Sequence, residues 1–368
     1  MRDHERSAQW RGGSAPQRST RSRDCAMTAS ATRQASRKHT TGLRGRSLSR
    51  LSFGGAPIGN LYESVDDEAA AATVMRAWNQ GIRHFDSAPY YGYGLSESRL
   101  GVTLQQLERS SYTLSTKVGR RLEDELGRSD HADGFIVDNQ RACFDYSRDG
   151  VMRSLESSLR RLRTDHVELL LLHDIGPLTH GANHPAVLRQ ALEEALPAMA
   201  ELRSQGVCDA IGIGVNEEAI CLEVMPRFPL DAIMLAGRYT LFEQQHSAQV
   251  MAQALLHDVA ILAAGPYNSG LLGAAAAPGR FYDYAPADEV TLEKARQFYA
   301  ICARSDTDVG AAALQFPLAH PAVASVVCGL RSVHEVDRAA ERLRTAIPAT
   351  TWSELRNAGL LLDNVPTP

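Results

Sequence analysis

Short apolar runs recur along this chain, and each is followed by a stretch whose apolar positions repeat at helical spacing. LSFGGAPIG (51–59), IRHFD (82–86), SYTLSTK (111–117), HVELLLLH (166–173), CDAIGIGV (208–215), LDAIMLA (230–236), VAILAAG (259–265) and ASVVCG (324–329) read as strands. DDEAAAATVMRAWNQG (66–81) has an acidic first turn, apolar residues on one face and a closing glycine, so it reads as a helix. SESRLGVTLQQL (96–107), DGVMRSLESSLRRLR (149–163), a segment near 185–205 and SVHEVDRAAERLR (332–344) read likewise. A long stretch from Val118 to Arg148 reads as a loop. Strands separated by helices pair in parallel through right-handed crossovers. Eight such units in one chain predict a closed (β/α)₈ TIM barrel, with a doubly wound open sheet as the alternative.

The domain expectation is a single α/β barrel over 48–368. Residues 1–47 are rich in Arg, Ser and Thr and hold few large apolar side chains, so burial cannot offset chain entropy there. That segment is expected to be a disordered tail, with Met27 as a candidate start. An organellar leader is the alternative, but no amphipathic helix is visible in it.

Bulk composition narrows the function classes. The chain has 368 residues, 44% of them hydrophobic, and a net charge of −4. This balance gives no reason to expect nucleic acid or an anionic membrane as a partner. No apolar run approaches the roughly 20 residues of a membrane span. The six cysteines form no CxxC pair, so they read as reduced thiols and the expected compartment is cytoplasmic.

Four polar residues sit where a barrel places its chemistry, at or just beyond the C-terminal ends of strands. They are Asp86 and Tyr91 in FDSAPYYG, Lys117 in LSTK and His173 in LLLH. A free phenol has a pKa near 10, too high for a base at neutral pH. A nearby ammonium favours the phenolate, and Lys117 can supply it. Asp86 can pair with Lys117, and His173 can orient a substrate oxygen. Each residue alone has an ordinary structural reading, as a cap, a packing aromatic or a solvated strand end. Together they describe a general acid/base tyrosine for carbonyl or alcohol chemistry, which needs a hydride carrier such as a nicotinamide. Asp130, His131, Asp133, His180 and His184 fit no strong ligand spacing, so no metal is expected.

At these residues the chain resembles the aldo-keto reductase superfamily. FDSAPYYGYGLSE (85–97), LSTK (114–117), LLLHD (170–174) and GLRS (329–332) match that superfamily's blocks in order. The resemblance implies a catalytic tetrad of Asp86, Tyr91, Lys117 and His173. FGGAPIGNLYESV, FDYSRDGVMRSLESSLRRL, IGIGVNE, LAGRYTLFEQ and AAGPYNSGLL are similar to its aldose dehydrogenases. These act on L-fucose, D-threo-aldose or L-galactose type sugars. What they imply is oxidation of a cyclic hemiacetal at its anomeric carbon, with Tyr91 taking the hydroxyl proton and a lactone leaving.

The same resemblance places Asn216 at the nicotinamide carboxamide and Gly265, Ser269, Gly270 and Leu271 along the pyrophosphate. GIGVNE (212–217) lacks the third glycine of a dinucleotide fingerprint, so it reads as a strand end. Gly329, Arg331 and Ser332 follow the last strand, where a helix N-terminus can meet a phosphate. Glu335 lies close by, and an acid there favours a free ribose hydroxyl, so NAD is expected over NADP. Ala264 stands where many of these reductases stack an aromatic, a role Tyr267 could take. In the stretch 118–148, Phe135, Phe144 and Tyr146 suit a ring-shaped substrate, with Asp145 as a hydroxyl acceptor; Tyr62 is a further wall.

Two other functions are compatible with these motifs. One is an NADPH-dependent aldehyde reductase; the other is a cofactor-binding regulatory subunit with little turnover. The partner expected in each catalytic case is a sugar or aldehyde, and the assembly a monomer or small homo-oligomer.

Overall fold

The computed structural model describes residues 42–44, 46–130 and 134–368. The tail expectation for residues 1–41 lies outside the described residues, as does Met27. Among the described residues there are fourteen strands: β1 Gly42–Leu43, β2 Arg46–Ser47, β3 Leu51–Gly54, β4 His84–Asp86, β5 Thr113–Val118, β6 Arg120–Asp130, β7 Val137–Phe144, β8 Val167–His173, β9 Cys208–Val215, β10 Ala232–Ala236, β11 Ala260–Ala264, β12 Phe281–Tyr282, β13 Ala285–Pro286 and β14 Val323–Gly329.

Eight of them close a barrel in the order β3-β4-β5-β8-β9-β10-β11-β14, with β14 pairing back onto β3. Every ladder in it is parallel. The eight are the strands the hydrophobic pattern predicts. Helices occupy the crossovers, among them Asp67–Asn79, Leu95–Leu104, Arg148–Leu162, Ala248–His257 and Glu289–Arg304, and Val333–Arg344 follows β14. Their starts follow local chemistry: Asp66, Ser147, Asp288 and Ser332 each accept a bond from a first-turn N–H with the side chain, satisfying donors the helix leaves orphaned.

Parity along each strand decides which residues reach the site. In β8, Leu169 and Leu171 point into the barrel while Leu170 and Leu172 pack under the helices. The period of two therefore turns His173 inward. In β4, Phe85 joins the outer core, so His84 and Asp86 face in. In β5, Leu114 joins the outer core, so Ser115 and Lys117 face in. The interior is filled by Leu169, Leu171, Ala210, Ala232, Met234, Leu262, Ala264, Ala324 and Val327, a packed core rather than a pore.

Two features differ from the sequence expectation. Within the segment read as tail, β1 and β2 pair as an antiparallel ladder. Leu43 and Leu48 join the barrel interior cluster, and Arg44 meets Asp231 just before β10. The hairpin thus covers the N-terminal end of the barrel. Two isolated leucines among polar residues carry little periodic signal, although burying each is worth about 2 kcal/mol. The second difference is the stretch 118–148, which is an antiparallel hairpin, β6 with β7. Its strands are rich in charge, so alternation of apolar residues does not announce them. The start of β7 bends over the mouth, where Phe135 bridges to Leu61 and Gly134 accepts from the Tyr62 N–H.

Candidate active site

Three neighbouring strand ends bring the predicted four together. Lys117 Nζ lies 2.8 and 3.0 Å from the two Asp86 oxygens and donates to the Ser87 carbonyl at 2.8 Å. Both side chains are 2% exposed. Tyr91 follows in the turn after β4, its ring centre 4.6 Å from Lys117 Nζ. Gly92 makes this turn possible: its φ is +61°, and a Cβ there would stand 2.2 Å from the Gly59 carbonyl oxygen. His173 completes the set, its ring 6.1 Å from that of Tyr91 and nearly perpendicular to it.

Beneath the tetrad runs a buried polar chain. Ser115 Oγ donates to Asp86 Oδ1 at 2.7 Å, and His84 Nε2 meets Ser115 Oγ at 3.0 Å. His84 Nδ1 meets Ser52 Oγ at 2.8 Å, which in turn meets Ser325 Oγ at 2.5 Å. Because Ser115 spends its proton on the carboxylate, His84 must donate from Nε2 and accept at Nδ1. Burial, and secondarily the Lys117 charge, push His84 down to about 3, so the ring is neutral. The chain holds Asp86 from below as Lys117 holds it from above.

Charge states follow from the surroundings. Burial opposes the Lys117 charge, but Asp86 and then Tyr91 outweigh it and hold the amine above its ordinary value. For Tyr91 the balance goes the other way. Burial pushes the phenol up, Lys117 pulls it partly back, and Asp86 adds to the rise. The expectation that Lys117 brings the phenol below its usual value is therefore corrected: desolvation wins over the single cation, and Tyr91 is protonated at neutral pH. Burial drives His173 down to about 3, with Arg120 and Lys117 adding to the fall and Asp174 opposing it. Its ring is neutral. Nδ1 is buried without a hydrogen-bond partner among the described residues, and Nε2 lies 3.4 Å from the Asp174 carboxylate. The proton therefore belongs at Nε2, where it can be donated to a substrate oxygen.

The residues expected to hold a dinucleotide line the same end of the barrel. Asn216 directly follows β9 at this end of the barrel. Gly265, Ser269 and Gly270 have φ of +66°, +58° and +89° in the turn after β11, and Ser269 Oγ accepts from the Tyr284 N–H at 3.0 Å. The Leu271 side chain is fully buried in the core, so it offers only backbone. Gly329 ends β14 and is exposed. Ser332 accepts from the Glu335 N–H at 3.2 Å, and the Glu335 carboxylate accepts from the Arg331 N–H at 2.7 Å. Arg331 is held by Glu63 at 3.0 Å and by the Leu61 carbonyl at 2.9 Å. The helix start is thus already met by an acid, and its arginine by another. These backbone turns, the amide and the polar side chains fit a nicotinamide dinucleotide.

Several substrate expectations are redistributed. Phe144 is half exposed at the mouth, and Tyr62 is exposed and stacks on Phe281 at 6.4 Å. Tyr146 is buried instead: its hydroxyl meets the His173 and Asp174 carbonyls at 3.0 and 2.8 Å and His180 Nε2 at 2.9 Å. It fastens the strand end rather than walling a ligand. Asp145 accepts from Ser147 at 2.6 Å and lies 3.5 Å from Arg121, so it serves the helix start. Phe135 stacks on Tyr91 at 6.1 Å. Tyr267 packs on the core with the Arg342 guanidinium 5.2 Å from its ring, so it does not replace the aromatic absent at Ala264. His180 and His184 bond to backbone carbonyls; the Asp130 side chain, His131 and Asp133 lie outside the described residues.

Three contributors escaped the sequence reading. Tyr284, on the short β12–β13 hairpin, is exposed, and its N–H donates to Ser269 Oγ at 3.0 Å in the turn after β11. Arg120 and Asp174 form a close ion pair beside His173. The aromatic cluster FYDY (281–284) was a signal for the first; nothing in the spacing points to the other two.

A profile of the Aldo/keto reductase family matches residues 50–359. The chain belongs to this family and is an oxidoreductase. It is 37% identical over 331 residues to D-threo-aldose 1-dehydrogenase of a Pseudomonas species, covering 88% of this chain and 97% of that protein. It is 36% identical over 345 residues to pyridoxal 4-dehydrogenase of Microbacterium luteolum, covering 89% and 99%. Its fold matches the holo form of an aldo-keto reductase from Bacillus halodurans with a TM-score of 0.65 at 23% identity, covering 86% of this chain and 94% of that one. Among the described residues no helix is long and apolar enough to cross a membrane.

Proposed function

We propose that this enzyme is an NAD-dependent aldose dehydrogenase that oxidises a cyclic hemiacetal at its anomeric carbon to a lactone. The observation that carries the reading is the Tyr91–Lys117–Asp86 arrangement with a neutral His173, set at the mouth of the barrel. The 37% identity to D-threo-aldose 1-dehydrogenase supports the substrate class. In the proposed reaction the anomeric oxygen lies between the Tyr91 hydroxyl and His173 Nε2. Tyr91, as phenolate, takes the hydroxyl proton while the C–H bond at that carbon breaks and the carbon–oxygen double bond of the lactone forms. When bound, the oxidised nicotinamide accepts the hydride released in this step. Lys117 steadies the phenolate and Asp86 keeps Lys117 charged. Read in reverse, protonated Tyr91 donates to the oxygen of an aldehyde, which is the NADPH-reductase alternative.

A screen of L-fucose, L-galactose and related aldoses with NAD and NADP, followed at the reduced-nicotinamide absorbance, tests the reading. Sugar-dependent reduction of NAD is expected. A second reading, oxidation of an aromatic hydroxyaldehyde, is favoured by the 36% identity to pyridoxal 4-dehydrogenase and by the aromatic rim of Tyr62, Phe144 and Phe281. Turnover of pyridoxal with no turnover of any aldose would select it. Silence toward every sugar and aldehyde, with cofactor still bound, would point to the regulatory subunit instead.

The cofactor preference rests on Glu335, whose charge and position disfavour a 2′-phosphate. Glu335→Gln is expected to narrow the NAD-over-NADP preference in kcat/KM by about tenfold, the size of one modest charge interaction near the surface. An unchanged ratio would remove Glu335 from cofactor selection.

A further inference from the structure

Asp174 follows His173 and is held with unusual thoroughness. Its backbone is in the left-handed region, with φ of +48°, a conformation that costs most residues but that Asp tolerates. Its N–H donates to the Gly214 carbonyl at 3.0 Å. Its own carbonyl meets Tyr146 and His180, each at 2.8 Å. Arg120 Nη2 donates to Oδ2 at 2.5 Å. Arg120 is itself fixed, its guanidinium carbon 3.9 Å from the Tyr90 ring centre and 4.9 Å from that of Phe144. Among the described residues nothing donates to Asp174 Oδ1.

A pair like this does little for the fold. The side chains of Arg120 and Asp174 are 12% and 16% exposed, and replacing a buried ion pair by well-packed apolar groups is often neutral or stabilising. Its position matters more. The carboxylate stands 3.4 Å from His173 Nε2, the atom that would hold the reacting oxygen. Two oxygens on adjacent carbons lie about one hydrogen-bond length apart. A substrate whose reacting oxygen meets Tyr91 and His173 therefore brings a hydroxyl on the neighbouring carbon to Asp174. The carboxylate only accepts, so it asks for a hydroxyl there.

We propose that Asp174, positioned by Arg120, recognises a hydroxyl on the carbon next to the reacting carbon, so that the site selects α-hydroxy aldehydes and their cyclic hemiacetals. This rests on the acid/base reading of Tyr91 and His173, and for the hemiacetals on the proposed aldose oxidation. Burial opposes the Asp174 charge and the close Arg120 ion pair supports it, so the carboxylate is available as an acceptor. A site built around a polar contact rejects the analogue that lacks it, because its buried groups are then left unpaired.

The test compares two substrate pairs, L-galactose with 2-deoxy-L-galactose in oxidation and lactaldehyde with propanal in reduction. Asp174→Asn in the full chain is expected to lower kcat/KM about 10- to 100-fold for the hydroxylated member of a pair, the worth of a hydrogen bond to a charged group, and only about threefold or less for the other. The pH profile should not move. Arg120→Lys should act in the same direction and serves if the first variant misfolds. An equal loss on both members, or a displaced pH profile, would show that Asp174 acts only through His173 and overturn the proposal. If the wild type oxidises no sugar yet prefers lactaldehyde, and the variant erases that preference, the aldose reading fails and this one stands. No wild-type preference within any pair that turns over overturns it.

Discussion

Tyr91→Phe is expected to lower kcat by about a hundred- to ten-thousand-fold while leaving cofactor affinity nearly unchanged. That range is the usual contribution of a positioned general acid or base. The variant removes one oxygen from a ring packed against Phe135 at 6.1 Å, and the phenyl group keeps that contact. Neither Asn216 nor the glycine-rich turn after β11 loses a partner, so cofactor should still bind. Steady-state rates and a fluorescence titration with the nicotinamide separate the two effects. Substantial residual turnover would sink the acid/base assignment.

The direction of the Tyr91 shift adds a second observable. Because burial keeps the phenol protonated at neutral pH, the acid form is ready for reduction and the base form for oxidation must be generated. Oxidation rates should therefore climb as pH rises toward the alkaline range, and reduction rates should fall over the same range. The neutral His173, driven down to about 3, should contribute no inflection between pH 5 and 8. An imidazole-like step near pH 6.5 would mean that His173 titrates in the working enzyme.

The barrel and its four polar strand ends were legible because parity and periodicity are local. HVELLLLH declares a strand covered on both faces, and counting by two from Leu169 delivers His173 to the interior. The same counting puts Asp86 and Lys117 inside. What lay outside reach was set by tertiary context. The β6 strand RRLEDELGRSD offers no apolar alternation, since its stability comes from cross-strand pairing and ion pairs such as Arg141 with Glu123. Tyr146 and Asp145 carry groups that suit a sugar, yet both are taken by backbone and by the next helix start. Asp174 sits in plain view beside His173, but its partner Arg120 lies in another segment, and no spacing links them. The sign of the Tyr91 shift was also out of reach, because it depends on how deeply the ring is buried rather than on which cation stands near it.

Asp86→Asn should destabilise the protein by about 3–5 kcal/mol at neutral pH, the usual cost of removing one partner from a buried pair. The change is nearly isosteric, so packing is preserved and the effect is electrostatic. In the wild type, Lys117 has its pKa raised above the unfolded value by Asp86 and Tyr91. That contribution is fully present below the unfolded lysine pKa of about 10.4 and is lost as pH rises through the folded value. In the variant the main counter-charge is gone and burial dominates, so the Lys117 pKa falls below the unfolded value. Folding then favours the neutral amine, and stability declines as pH drops below that unfolded value. The wild type and the variant should thus differ most near neutrality and converge only as pH rises through the raised folded value of Lys117. Urea unfolding at pH 7 and at high pH reads this directly. A gap that stays constant with pH would mean that Asp86 acts through Ser115 and its hydrogen bonds alone, and that Lys117 carries no charge beside Tyr91.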